Sequence, residues 1–196
     1  MSANNSRLSP RQKMINLMYI VFLAMVALNV SSDVLAGFKH VEDALDASNA
    51  GAQTRNQKLY DEFDRAREKN PEKVARWYGN AQVVRRSSEA LYNLIDSIKL
   101  EIVRFADGKE GDPENIKNRE NLEAVNQVML SPLYGGGERL RNGIEQYRQQ
   151  LQGFLPESDA RVVGNYLSTA VPEDSNLSWE SQMFENIPVA AAVTIL

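Results

Sequence analysis

The sequence predicts an all-α protein, with one N-terminal transmembrane helix followed by a periplasmic helical bundle. Met14 to Ser32 is a nineteen-residue run without a charge, with Arg7, Arg11 and Lys13 before it and Asp33 after it. Val74, Trp77, Ala81, Val84, Ser88, Leu91, Ile95, Ile98, Ile102 and Phe105 follow alternating steps of three and four, a long helical seam with one polar member. Sustained period-two runs of β-branched residues, the mark of strands, are absent.

At about 1.5 Å per residue the uncharged run covers roughly the 30 Å hydrocarbon core of a bilayer. Its basic flank is N-terminal, which keeps that end in the cytoplasm. The chain then divides into a cytoplasmic tail (1–9), a transmembrane helix (10–32) and a periplasmic all-helical domain (33–196). Ser9 suits the helix cap and Pro10 the first helical position, where no amide hydrogen is needed. A cleaved signal peptide is the rival reading, since Val34-Leu35-Ala36 before Gly37 resembles a cleavage site. The apolar run, however, exceeds the roughly 7–15 residues of a signal core.

Inside the span, Asn16 and Tyr19 are three residues apart and share a helical face. Polar side chains there mark packing against a partner or a solvated pathway. Arg11 falls in the first turn. It is either a snorkelling topology signal or the ion partner of a carboxylate on a neighbouring membrane helix, and the residue pattern leaves both open. Ala24, Ala27 and Ser31 form a small-residue strip on which a second helix can pack closely.

Beyond the membrane, residues 33–69 continue the helix outward and bend near Asn49-Ala50-Gly51. Pro71 opens the seam helix, and the polar segment Asp107–Pro113 ends it. A helix from Glu114 to Met129 is expected next, with Ile116, Leu122, Val125 and Met129 inward. The Pro132 and Gly135–Gly137 break precedes a helix from Glu138 to Phe154, using Leu140, Ile144, Tyr147 and Leu151. Pro156 opens a shorter one carrying Val162, Val163, Tyr166 and Leu167, and Ser178 caps a short turn from Trp179. Pro188–Leu196 is an apolar helical opening with no capping glycine, which reads as a chain cut short of further domains.

Charge and composition exclude several function classes. The first 32 residues hold three basic and no acidic side chains, leaving 19 basic against 26 acidic beyond, a net of −7. An acidic exported domain argues against nucleic acid as a partner. With no cysteine and one histidine, His40, zinc sites and Cys/His nucleophiles are undersupplied. The Asp107–Asn115 turn lacks the residue order of a calcium loop, and Gly135–Gly137 lacks the lysine and preceding strand of a phosphate loop. A non-catalytic protein without cofactor or metal is expected.

The string Ser9-Pro10-Arg11-Gln12-Lys13-Met14-Ile15-Asn16-Leu17-Met18-Tyr19, followed by Val21-Phe22-Leu23-Ala24-Met25 and Ala27-Leu28-Asn29, closely resembles the N-terminus of the GldM/PorM family. These are inner-membrane motor subunits of gliding motility and type IX protein secretion. The resemblance implies a homodimer whose two membrane helices sit inside a ring formed by a GldL/PorL-like subunit. It also implies a proton-driven machine that passes torque through the periplasmic part, with missing C-terminal β-domains reaching rings at the outer membrane. By the same resemblance Arg11 pairs with a membrane glutamate of the partner, and Tyr19 lies along the polar pathway. Asn16 joins them through its shared face.

One departure from related stators matters. Their inner subunit carries an aspartate in its own membrane helix, whereas no Asp or Glu lies between Met14 and Ser32. An arginine does not deprotonate at its pKa above about 12, so the titrating carboxylate must come from the partner. A membrane-anchored helical sensor and a purely structural coiled-coil anchor are the alternatives.

Overall fold

The computed structural model describes residues 9–27, 32–172 and 174–196. Among these residues it is helical throughout, with no strand. Helix α1 (Pro10–Ala27) precedes a long hairpin of α2 (Ser32–Lys69) and α3 (Pro71–Asp107). Asn70 breaks the helical path (φ −151°, ψ 76°) because a following proline crowds the α conformation, and Pro71 then starts α3. At 1.5 Å per residue each arm is about 55 Å long.

Two cation–π clasps hold the arms together away from the core. The Arg67 guanidinium lies 4.5 Å from the Tyr78 ring centre, and that of Arg85 lies 5.1 Å from the Tyr60 ring centre. Both clasps obey one antiparallel register. Extended down the hairpin at the helical rise, it puts Phe105 level with about residue 40 of α2.

The core surrounds the last third of α3. Ile98, Ile102 and Val103 are buried there with Val125, Val128 and Met129. The latter three come from α4 (Glu123–Val125) and the π-helical turn Asn126–Leu130 that extends it. Leu140 of α5 (Gly136–Gln152), Phe184 of α7 (Trp179–Phe184) and Val189, Ala192 and Val193 of α8 (Val189–Ile195) close the cluster. Helix α6 (Glu157–Tyr166) lies against the far end of α5, where Gln152 Nε2 donates to the Ala160 carbonyl at 3.0 Å.

Four expectations need correction. The bend at Asn49-Ala50-Gly51 is absent, and α2 runs unbroken through it. A single helical glycine costs only about 1 kcal/mol, too little to break a helix of this length. The seam of α3 is enclosed only at its C-terminal end, and Trp77 remains 58% exposed, because α4, α7 and α8 gather around Ile98–Val103.

The helix expected from Glu114 begins only at Glu123. Tertiary bonds claim the backbone before it. Asp107 accepts from the amides of Lys117 (2.8 Å) and Asn118 (2.9 Å), and the amides of Val189 and Ala190 donate to the carbonyls of Asn121 and Arg119. Ile116, Val125 and Met129 are nonetheless buried as expected. In α6, Tyr166 is 86% exposed, so its helical spacing marks no core face.

The apolar run after Pro188 has a direct physical reason in the fold: Val189 to Val193 are all buried against α2 and α3. The Ser178 cap forms as the sequence predicts, with its hydroxyl accepting from the Ser181 amide at 3.1 Å.

Candidate functional site

Helix α1 begins where the sequence places its cap. Ser9 Oγ accepts from the Gln12 amide at 3.2 Å, and the Ser9 carbonyl accepts from the Lys13 amide at 3.0 Å. Pro10 occupies the first helical position. Every side chain from Pro10 to Leu23 is exposed, including Met14, Met18, Tyr19 and Phe22. A row of large apolar groups in this state is a surface made for lipid or for other helices.

At 100° per residue, Arg11, Tyr19, Gln12 and Asn16 fall within an arc of about 140°, with Tyr19 about 12 Å along the axis from Arg11. The helix thus brings the three predicted polar residues to one side and adds a fourth. Gln12 Nε2 donates to Asn16 Oδ1 at 3.3 Å, which pairs the two amides along this side of the helix. Gln12 was legible as an i,i+4 amide pair and is the member that sequence reasoning missed. Among the described residues Arg11 makes no ion pair, and α1 contains no carboxylate. Of the packing strip, Ala24 and Ala27 fall within α1, while Ser31 lies outside the described residues.

No helix among the described residues is long and apolar enough to cross a membrane. The 18 residues of α1 open with Arg11 and Lys13. The uncharged stretch of the sequence continues through residues 28–31, which are not described.

The domain that follows ties its helices together with ion pairs. Arg139 of α5 forks onto Glu101 of α3, its Nη1 donating to Oε1 at 3.2 Å. Arg141 Nε donates to Glu180 Oε1 at 2.6 Å, tying α5 to α7. Burial pushes the Glu180 carboxyl up, but its own amide, Ser178 and Arg141 outweigh this and hold it below the usual range. Asp107 behaves likewise: burial raises it, while the amides of Lys117 and Asn118 prevail and lower it. Among the described residues no group of three or more His, Asp or Glu stands close enough to hold a metal ion. His40 is exposed on α2.

Residues 33–196 match the model of the GldM N-terminal domain. The chain belongs to the GldM family. No curated protein matches the chain. The GldM match begins at Asp33, beyond the segment Ser9–Asn29 that carries the resemblance to GldM/PorM in the sequence, so separate residues point to one family. GldM membership associates the chain with the membrane-associated machinery of gliding motility and type IX secretion.

Proposed function

We propose that this chain is the non-catalytic inner subunit of an ion-driven inner-membrane motor, with residues 10–32 crossing the membrane and residues 33–196 in the periplasm. The observation that carries the reading is a GldM domain beginning at Asp33 directly after an uncharged run of membrane length with Arg11 at its inner lip. Two copies of the membrane helix sit within a ring of GldL/PorL-like helices, and a partner carboxylate faces Arg11. Tyr19 and Asn16, with Gln12, line the polar side along which the ion-dependent contact is made and broken.

The physics of the step is simple. Protonating the partner's carboxylate removes its attraction to the fixed charge of Arg11, and deprotonation restores it. Moving one charge through the membrane potential supplies about 2.3 kcal/mol per 100 mV, comparable to a single ion pair in a poorly solvated site. Rotation of the membrane helices passes into α2, whose 38 residues run without interruption into the bundle. From there, load reaches whatever follows the domain, which in this reading is the part that meets the outer-membrane rings.

Arg11→Ala, expressed with the membrane partner, tests this. The complex should still co-purify while proton flux and type IX secretion fall by at least about tenfold, the loss of roughly one ion pair's worth of coupling. Arg11→Lys should retain part of both, since it keeps the charge but not the fork. Unchanged flux and secretion in an intact Arg11→Ala complex would falsify the assignment.

A further inference from the structure

The end of the bundle nearest α2's start carries an apolar projection that the motor reading leaves unused. Leu133 is 85% exposed, and beside it Tyr134 and Phe105 are each 39% exposed with their rings in edge contact at 6.0 Å. Single exposed hydrophobics are ordinary on protein surfaces. This group differs because it is clustered and stiffly presented. The Leu133 amide donates to Ser131 Oγ at 3.2 Å, and the amides of Tyr134 and Gly135 both donate to the Ser131 carbonyl. Gly135 takes a left-handed conformation (φ 59°) to turn the chain into α5.

The position of this turn follows from two registers. Helix α5 runs antiparallel to α3, with Arg139 on Glu101 and Gly143 against Leu91 and Leu94. Going back along α5 therefore leads to the C-terminal end of α3, where Tyr134 meets Phe105. The hairpin clasps in turn set Phe105 level with about residue 40 of α2, eight residues and about 12 Å along the helix from Ser32. Tilt of α2 toward the side that carries the turn brings it closer to the end of the uncharged run. The headgroup layer itself adds about 5–8 Å on each side of the hydrocarbon.

We propose that the Ser131–Gly135 turn is a membrane foot: Leu133 and the Tyr134–Phe105 pair enter the headgroup zone of the leaflet from which α2 emerges. The proposal rests on the reading that residues 10–32 cross the membrane. A leucine flanked by two aromatics suits the interfacial zone, where aromatic rings collect. Charge specifies the lipid. Asp107, Glu110, Asp112 and Glu114 are nearly balanced by Arg104, Lys109 and Lys117 at the same end of α3, so the foot offers no basic cluster to anionic headgroups and takes zwitterionic ones. Its role is to limit how far the bundle leans as the membrane helix turns.

The chain has no cysteine, so a single introduced thiol reports on one place. The full chain is reconstituted in phosphatidylcholine nanodiscs with a fluorophore at Pro132→Cys and lipids bearing a headgroup nitroxide. A label at Tyr166→Cys, on the far side of the bundle, serves as the distant control, and one at Ile20→Cys, read with lipids bearing an acyl-chain nitroxide instead, reports insertion. Glu138→Cys reports on the same level should the turn itself be disturbed by the label at 132.

The foot predicts quenching at 132 and 138 but not at 166. It also predicts a roughly fivefold loss of that quenching on adding Leu133→Asp, the effect of withdrawing one leucine from the interface. Replacing half the lipid with phosphatidylglycerol should not strengthen it, and a marked gain would overturn the zwitterionic assignment. Quenching at 20 without quenching at 132 or 138 overturns the foot and leaves the anchor standing. Absence of quenching at 20 sinks the membrane reading and the foot with it. Protection of the 132 label from aqueous quencher only when the partner membrane protein is added assigns the surface to protein and also overturns the proposal.

Discussion

Asp107 shows how one side chain decides a local fold. Its carboxylate accepts from two backbone amides and from Asn118 Nδ2, which donates at 2.9 Å, so it closes the loop that leads from α3 back to the core. Removing it in Asp107→Ala strands those donors and should destabilise the domain by about 1–2 kcal/mol, read as a lowered urea midpoint. The sign of the pH dependence follows from the lowered pKa. The folded carboxyl stays ionised below its ordinary value of 3.8, so its contribution is complete above that value. It is lost as pH falls below 3.8 through the folded pKa, and Asp107→Ala should flatten stability over that acid window relative to the parent. Nothing in the sequence distinguished this aspartate from the other acids of the same turn, because its partners lie ten and eleven residues away.

At the scale of elements, local signals were legible and tertiary ones were not. The proline openings at Pro10 and Pro71 and the serine caps at Ser9 and Ser178 all appear, because each acts within one turn of its own helix. The seam of α3 gave the correct inward positions at Ile98 and Ile102 but not Val103, which lies off the stripe and is buried because several elements wrap that end of the helix. The shortness of α4 and the π form of the turn after it were not legible, for a related reason. They are shaped by the start of α5, where the glycines permit a very close approach. A Cβ on Gly136 would stand 2.7 Å from the Val128 carbonyl oxygen, and one on Gly137 would stand 2.7 Å from that of Met129. Gly136→Ala should therefore cost about 1–3 kcal/mol despite alanine's better helix propensity, as a drop in thermal midpoint will show. A gain in stability would mean that the two segments slide apart freely.

For the whole molecule, the all-helical class was readable from periodicity alone, and the GldM family from the first helix and the domain after it independently. Helical geometry also puts Arg11, Asn16 and Tyr19 on one side of α1, and their part in a site is the proposal made above. In the proposed motor the acid that faces Arg11 comes from the partner, because no carboxylate lies between Met14 and Ser32. The central claim is thus a distance between two proteins. A reconstruction of the full chain with its co-expressed membrane partner measures it directly. The account predicts a partner carboxylate within about 4 Å of the Arg11 guanidinium in at least one of the two copies. A guanidinium surrounded by water or headgroups in both copies, with no acid in reach, would contradict it and leave an anchored helical bundle.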